Sequence, residues 1–232
     1  MTELTDADLD ALRQLDTPTV CNALEVVAPA RRGYGYTVEP FFCPRPELAP
    51  IVGYARTGTI RAMQQSERDA AADTAARLDY YDHIGSGPGP TITVIQDLDA
   101  VPGYGAWWGE VNTNIHQGLG SLGVITNGSI RDLDDAAEGF QMLAGMANPS
   151  HAWVRIVDHG ILVTVHGMTV RPGDLIHADQ HGAVVIPPDV AAEVPGAAAK
   201  IAAGERVIIE AAQQPGFTAA TLRELLGGGA GH

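Results

Sequence analysis

An α/β fold, a layered central mixed sheet with flanking helices and a β-rich C-terminal half, is what this chain predicts, and three observations carry it. From Ile51 to Thr126, short β-branched runs alternate with stretches of helical spacing, the order that a parallel or mixed sheet requires. From Ala152 to Ile186 the pattern changes to closely spaced short apolar runs separated by Gly160, Gly167 and Pro172-Gly173-Asp174. Beyond Pro187, alanine-rich sequence returns the chain to helix. With 232 residues, 45% of them hydrophobic, the chain has enough apolar side chains for one domain spanning 1–232. Its expected ends are a helical cap over about 1–30 and a helical segment over about 188–226.

Thr5 followed by Asp8 reads as a helix start with Leu9, Leu12 and Leu15 on one face, and Thr17-Pro18 restarts a short helix carrying Val20, Cys21 and Leu24. Gly33, Gly35 and four prolines from Pro40 to Pro50 mark a long loop before a strand over Ile51 to Ile60. An alanine-rich helix is expected from Ser66 to about Tyr81, then a strand from Thr91 ending at Asp97. A further helix should begin near Gly109, turn Val111, Ile115 and Leu119 inward, and stop at Gly120. Gly123 to Thr126 suits a buried strand that Asn127-Gly128 ends. Arg131-Asp132 is then expected to open a helix whose buried stripe is Leu133, Ala136, Phe140 and Leu143. Four strands follow, over Trp153 to Val157, Ile161 to Val165, Leu175 to His177 and Ala183 to Ile186. Helices are expected over Val190 to Ala202 and Val207 to Ala212, with a frayed glycine-rich tail from Gly227 to Gly231.

Two helix starts therefore carry the candidate chemistry. The first turn at Gly109, Glu110, Val111 and Asn112 offers unpaired backbone N–H groups at a positive dipole end, a place for a carboxylate. Arg131 can bind a carboxylate or enolate through two donors, and Asp132 is a hard oxygen ligand suited to Mg²⁺ or Mn²⁺. Glu110 is expected to meet such an ion through water, because Mg²⁺ keeps several of its waters. Together these describe a site for a 2-oxo acid.

The spacing of Gly109-Glu110 and of Asn127-Gly128-Ser129-Ile130-Arg131-Asp132 resembles that of the RraA-like proteins, which include the class II 4-hydroxy-4-methyl-2-oxoglutarate aldolases. Thr17 to Leu24, Gly53 to Thr59 and Val170 to Pro187 resemble further segments of that family. The resemblance implies a swivelling-domain architecture and a homotrimer or hexamer with sites between subunits. It gives the pyruvate carboxylate to the backbone of Gly109 through Asn112, substrate contact to Arg131 and the metal to Asp132. It also brings a C-terminal Glu from a neighbouring subunit toward the metal through water, for which Glu205 is the nearest match and Glu210 the next. The expected activity is a metal-dependent lyase acting through a pyruvate enolate, by retro-aldol cleavage or oxaloacetate decarboxylation. The alternative is a non-catalytic regulator of a ribonuclease, since the wider family includes one. Asn127 departs from the family pattern, where an Asp precedes the Gly.

Other features point elsewhere or nowhere. His177 and His181 have the spacing of a helical zinc pair, but their Gly and Pro neighbours argue strand and turn. His151 and His116 are open to either a pocket or a structural role, and Trp107 and Trp108 read first as core with a possible second role in excluding water. No dinucleotide fingerprint follows a strand. The net charge of −14, from 14 basic and 28 acidic residues, opposes nucleic acid as a partner. Cys21 and Cys43 suggest no disulfide framework, no signal peptide or membrane span is read, and a cytoplasmic location is expected.

Overall fold

The computed structural model describes residues 4–227, so the glycine-rich tail past Gly227 lies outside the described residues. Helix α1 (Asp6–Arg13) opens with a reciprocal capping box: Asp8 N donates to Thr5 Oγ1 at 3.2 Å, and Thr5 N donates to the Asp8 carboxylate at 2.9 Å. Helix α2 (Thr17–Val27) is capped by Asp16, which accepts from Thr19 N at 2.8 Å, and holds Pro18 where a missing N–H costs nothing. Leu9, Leu12, Val20 and Leu24 from these helices bury against Val52, Leu175 and Ile186.

Strand β1 (Ile51–Arg61) is the hub. Helix α3 (Ala70–Ile84) leads from it to β2 (Thr91–Asp97), and β3 (Ala106–Trp108) and α4 (Glu110–Gly118) lead on to β4 (Ser121–Thr126). Both crossovers return parallel strands, β1 with β2 and β2 with β4. After β5 (Ser129–Ile130), β6 (Gln141–Leu143) adds parallel to β4, and β7 (Met146–Ala147) follows. The second half supplies β8 (Arg155–His159), β9 (Val163–Val165), β10 (Met168–Val170), β11 (Leu175–Asp179) and β12 (Gly182–Ile186), before α5 (Val194–Ala212) and α6 (Ala219–Gly227). The main sheet runs β12-β11-β1-β2-β4-β6. Because β1 is 11 residues long, its other edge holds two antiparallel partners, β11 against Ile51 to Tyr54 and β8 against Gly58 to Arg61.

A second, three-stranded parallel sheet, β3-β5-β7, positions the candidate site. Trp108 and Ile130 are paired in register, and Arg131 N donates to Trp108 O at 2.9 Å. The next residues of the two strands, Gly109 and Arg131, thus leave the sheet side by side. Carboxyl ends of neighbouring parallel strands are where open α/β sheets place ligands.

Four sequence expectations are corrected. No helix follows Arg131-Asp132: residues 133–140 form turns that end in β6, although Ala136, Phe140 and Leu143 are buried as expected. Their backbone is held by Arg45, whose Nη1 donates to Ala137 O at 2.6 Å and whose Nη2 donates to Ala136 O at 2.7 Å and Leu133 O at 3.2 Å. Three carbonyls that a helix would satisfy internally are met by one guanidinium, and Gly139 at φ 72° turns the chain away from helix. Helix α3 starts at Ala70 behind the cap Asp69 rather than at Ser66. Helix α5 is continuous from Val194 to Ala212, because its alanines carry it through Gly204, Glu205 and Arg206. In α4, Thr113 and His116 are buried and Val111 is 68% exposed, against expectation, whereas Ile115 is half-buried and Leu119 packs on the core as expected.

Candidate active site at the ends of two parallel strands

Gly109 caps α4 at φ −173°, ordinary extended backbone, and its lack of a side chain matters for space rather than for torsion. A Cβ there would lie 2.6 Å from Asp132 Oδ2 and 3.1 Å from Arg131 Cγ. Asp132 takes φ 50°, a left-handed conformation that Asp tolerates better than most residues, and this turns its carboxylate back toward the helix start. Its Oδ2 accepts from Glu110 N at 3.4 Å and faces Arg131 Nε at 3.4 Å. Both side chains are about one-third exposed, at 30% for Arg131 and 32% for Asp132. Gly109, Glu110, Arg131 and Asp132 are therefore brought together from positions more than twenty residues apart. The N–H groups of Val111 and Asn112, in the first turn of α4, have no intrahelical acceptor to reach.

A cleft of about 880 Å³ opens beside this cluster. Val111, Asn112, Ile115 and Arg131 form one wall, and Arg77, Tyr81 and Trp107 continue it. Four of the chain's 14 basic residues, Arg68, Arg77, Arg131 and Arg155, line it against the single acid Asp73, which is paired with Arg68 at 2.8 Å. In a protein of net charge −14 this is a local cationic basin that draws anions. Gly109, Glu110 and Asp132 are not among the residues lining the cleft, and Glu110 is exposed.

Asn112 locks the wall. Its side chain donates to Trp107 O at 2.6 Å and accepts from the Tyr81 hydroxyl at 2.6 Å. His116 is fully buried against Trp108, with ring centroids 4.4 Å apart. Its Nδ1 donates to Asn112 O at 2.6 Å, since a carbonyl can only accept, which leaves Nε2 to accept from the Tyr80 hydroxyl at 2.8 Å. Burial lowers its pKa to about 4. A neutral His116 stabilises the fold fully above pH 6.5, and that contribution is lost as the pH falls from about 6.5 toward 4, because the unfolded chain takes up the proton first. The destabilisation caused by His116→Gln is therefore expected to shrink by about 2 kcal/mol between pH 7.5 and pH 5, measured by urea unfolding of both proteins. A constant difference across that range would show that the imidazole titrates normally.

The remaining candidates fall into place around this core. Asn127 clamps β2: its Oδ1 accepts from Asp97 N at 2.8 Å and its Nδ2 donates to Asp97 O at 3.0 Å. An Asp could not make the second bond, so the amide at this position has a structural reason. His177 is buried in β11, where Nδ1 faces Thr17 Oγ1 at 3.0 Å and Nε2 faces Leu15 O at 3.0 Å. His181 pairs with Asp179 at 3.1 Å. These contacts tie α2 to β11 and leave the two histidines in separate roles. His151 lines the cleft, as does Trp107, while Trp108 is wholly core. Glu205 and Glu210 lie on α5, which packs on α1 and α2 rather than on α4. Arg77, Tyr81 and Trp153 were not singled out from the sequence as site residues, because their joining depends on contacts between distant segments.

The sequence pattern of the RraA-like family, described as Aldolase/RraA, matches residues 17–185. A Pseudomonas paraeruginosa protein with the provisional name 4-hydroxy-4-methyl-2-oxoglutarate aldolase is 39% identical over 69 residues, which is 28% of this chain and 41% of that protein. The matched stretch thus spans less than half of that curated relative. An uncharacterised Pseudomonas syringae pv. tomato protein shares the fold with a TM-score of 0.71 at 25% identity, covering 96% of this chain and 95% of that one. Streptomyces coelicolor RraAS2, titled an unusual member of the RNase ES inhibitor RraA protein family, gives a TM-score of 0.68 at 19% identity, over 89% of this chain and 98% of its own. Among the described residues no helix is long and apolar enough to cross a membrane. The length of the family match, its agreement with the fold and the Gly109-Glu110 and Arg131-Asp132 pairs within it lead to one assignment: this chain belongs to the RraA-like family.

Proposed function

We propose that this protein is a divalent-metal-dependent carbon–carbon lyase that acts on a 2-oxo acid through a pyruvate enolate. The observation that carries this reading is the convergence of an anion-accepting helix start with Arg131 and Asp132, whose Oδ2 lies 3.4 Å from both Glu110 N and Arg131 Nε, in space that a side chain at position 109 would crowd. The provisional aldolase name of the Pseudomonas relatives agrees with it.

The residues fit a hydrated Mg²⁺ or Mn²⁺ better than an all-protein cage. Among the described residues no group of three or more His, Cys, Asp or Glu is placed to hold an ion. Asp132, partly exposed and with Oδ1 unused by any protein donor among the described residues, supplies the single carboxylate that such an ion commonly takes, the rest of its shell being water and substrate. Glu110, and Glu205 from a neighbouring copy in a trimer or hexamer, would act on that shell through water. When bound, the cation supplies Lewis-acid polarisation of the substrate's carboxylate and keto oxygens.

The chain's own groups do the rest. Within the α4 first turn, Gly109 through Asn112, the backbone N–H groups of Val111 and Asn112 are the ones open to the carboxylate, Glu110 N being turned to Asp132. In retro-aldol cleavage the C4 hydroxyl loses its proton, the C3–C4 bond breaks to release a carbonyl product, and its electron pair becomes the enolate of pyruvate. Arg131 faces the enolate oxygen as charge develops there, which is where a preorganised donor lowers the barrier. Glu110, exposed at the helix start, passes the proton to and from water, and C3 is finally protonated to give pyruvate.

The test is pyruvate release from a panel of 4-hydroxy-2-oxo acids and oxaloacetate. Activity is expected to vanish in excess chelator and to return with Mg²⁺ or Mn²⁺. Full turnover in chelator overturns the metal dependence. Absence of pyruvate from every substrate would transfer the reading to a protein-binding regulator.

A further inference from the structure

The first turns of helix α4 turn polar side chains inward and apolar ones outward, although Leu119 at its end packs on the core. Its buried face is polar, with Thr113 Oγ1 donating to Gly109 O at 2.9 Å and accepting from Ala137 N at 2.9 Å, and with His116 bonded at both ring nitrogens. The apolar side chains of these turns go the other way: Val111 is 68% exposed, and it lines the cleft together with the half-buried Ile115. A surface helix normally turns its apolar stripe to the core, so polar residues with internal partners have displaced Val111 and Ile115 toward the cleft. Tyr81 extends the same wall, Trp107 backs it from the core, and Trp153, 55% exposed, stands on another segment of the lining. Arg77 lies over the Trp107 ring at 5.8 Å from its centroid. An apolar patch rimmed by charge marks a binding surface, and the cleft of about 880 Å³ is of the size that holds a ligand much larger than pyruvate.

We propose that this wall receives the far substituent of the substrate and that the substituent is apolar and planar, so that the protein takes an aryl-bearing 2-oxo acid. Val111 and Ile115 stand four residues apart on one helix face, so the strip begins at the carboxylate-binding turn and runs about 6 Å along the cleft from it. The position of the carboxylate rests on the enolate reading above, whereas the apolar wall rests on geometry alone. The aromatic rings of Tyr81 and Trp153 on the lining favour a flat group over a branched one.

Calorimetric titration of the Mg²⁺-loaded protein with pyruvate, phenylpyruvate and 2-oxoglutarate tests this. Phenylpyruvate is expected to bind at least about tenfold more tightly than pyruvate, the effect of removing some tens of Å² of apolar surface from water, and 2-oxoglutarate is expected to gain less. In Val111→Ser and in Trp153→Ala the phenylpyruvate-to-pyruvate ratio should drop below about threefold. The proposal is overturned if phenylpyruvate binds no more tightly than pyruvate, if 2-oxoglutarate gains as much, or if neither variant changes the ratio. A shift in sedimentation of either variant also overturns it, since a second copy of the chain would then be what covers this wall. If no pyruvate is released in the lyase assay but phenylpyruvate still binds in a Val111-dependent way, the enolate reading falls and the apolar site stands. If phenylpyruvate fails to bind as well, both fall.

Discussion

Arg131→Lys is expected to lower kcat for pyruvate release by about 10² to 10³, the scale of losing one preorganised oxyanion donor, while KM moves far less. The guanidinium is held at its Nε edge by the Asp132 carboxylate, 3.4 Å away, and among the described residues neither Nη nitrogen has a protein acceptor. Both therefore remain for a substrate oxygen pair. Lysine keeps the charge but replaces a planar fork with a mobile point donor, so it cannot match two oxygens and reach Asp132 together. The measurement is steady-state pyruvate production by wild type and variant at saturating metal, with unfolding midpoints compared alongside. An unchanged kcat would reduce Arg131 to one of the four cations on the cleft wall.

How much of this was legible beforehand divides along contact distance. The helix starts at Thr5 and at Thr17-Pro18, the strand ending at Thr126 and the helix starting after Gly109 follow from local chemistry, and all appear where the sequence places them. The helix expected after Asp132 fails for a nonlocal reason. Leu133, Ala136, Phe140 and Leu143 do face inward, but Arg45, 88 to 92 residues away, meets the carbonyls that would otherwise have required a helix. Periodicity records which side chains are buried and is silent about which backbone satisfies them. The face of α4 fails the same way. Leu119 packs inward as its spacing implies, but Val111 and Ile115 turn toward the cleft, because Tyr80 supplies His116 with a buried partner from α3 and so draws the polar side to the core. The joint site of Gly109-Glu110 and Arg131-Asp132 follows from their complementary chemistry and from the family resemblance, but the physical cause of their meeting, the register of Trp108 against Ile130, emerges only in the folded chain.

Gly109→Ala is expected to cost about 10² or more in kcat while leaving the fold intact, because a misplacement of about 1 Å near the reacting groups has that effect. At φ −173° alanine is as comfortable as glycine, so the backbone stores no strain. The new methyl meets Asp132 Oδ2 at 2.6 Å and Arg131 Cγ at 3.1 Å, both on side chains that can swing aside, so stability should fall by no more than about 1 kcal/mol. What moves in yielding is the pair on which the proposed chemistry depends. The contrast is Gly105, where a Cβ would collide with the backbone carbonyl of His151 and lie 2.7 Å from Ala62 Cβ. Backbone cannot swing away, so Gly105→Ala should lose the fold and the activity together. Urea midpoints, far-ultraviolet circular dichroism and pyruvate release on the two variants separate these outcomes. A Gly109→Ala protein with wild-type stability and wild-type turnover would mean that Asp132 and Arg131 are not held for catalysis at this helix start.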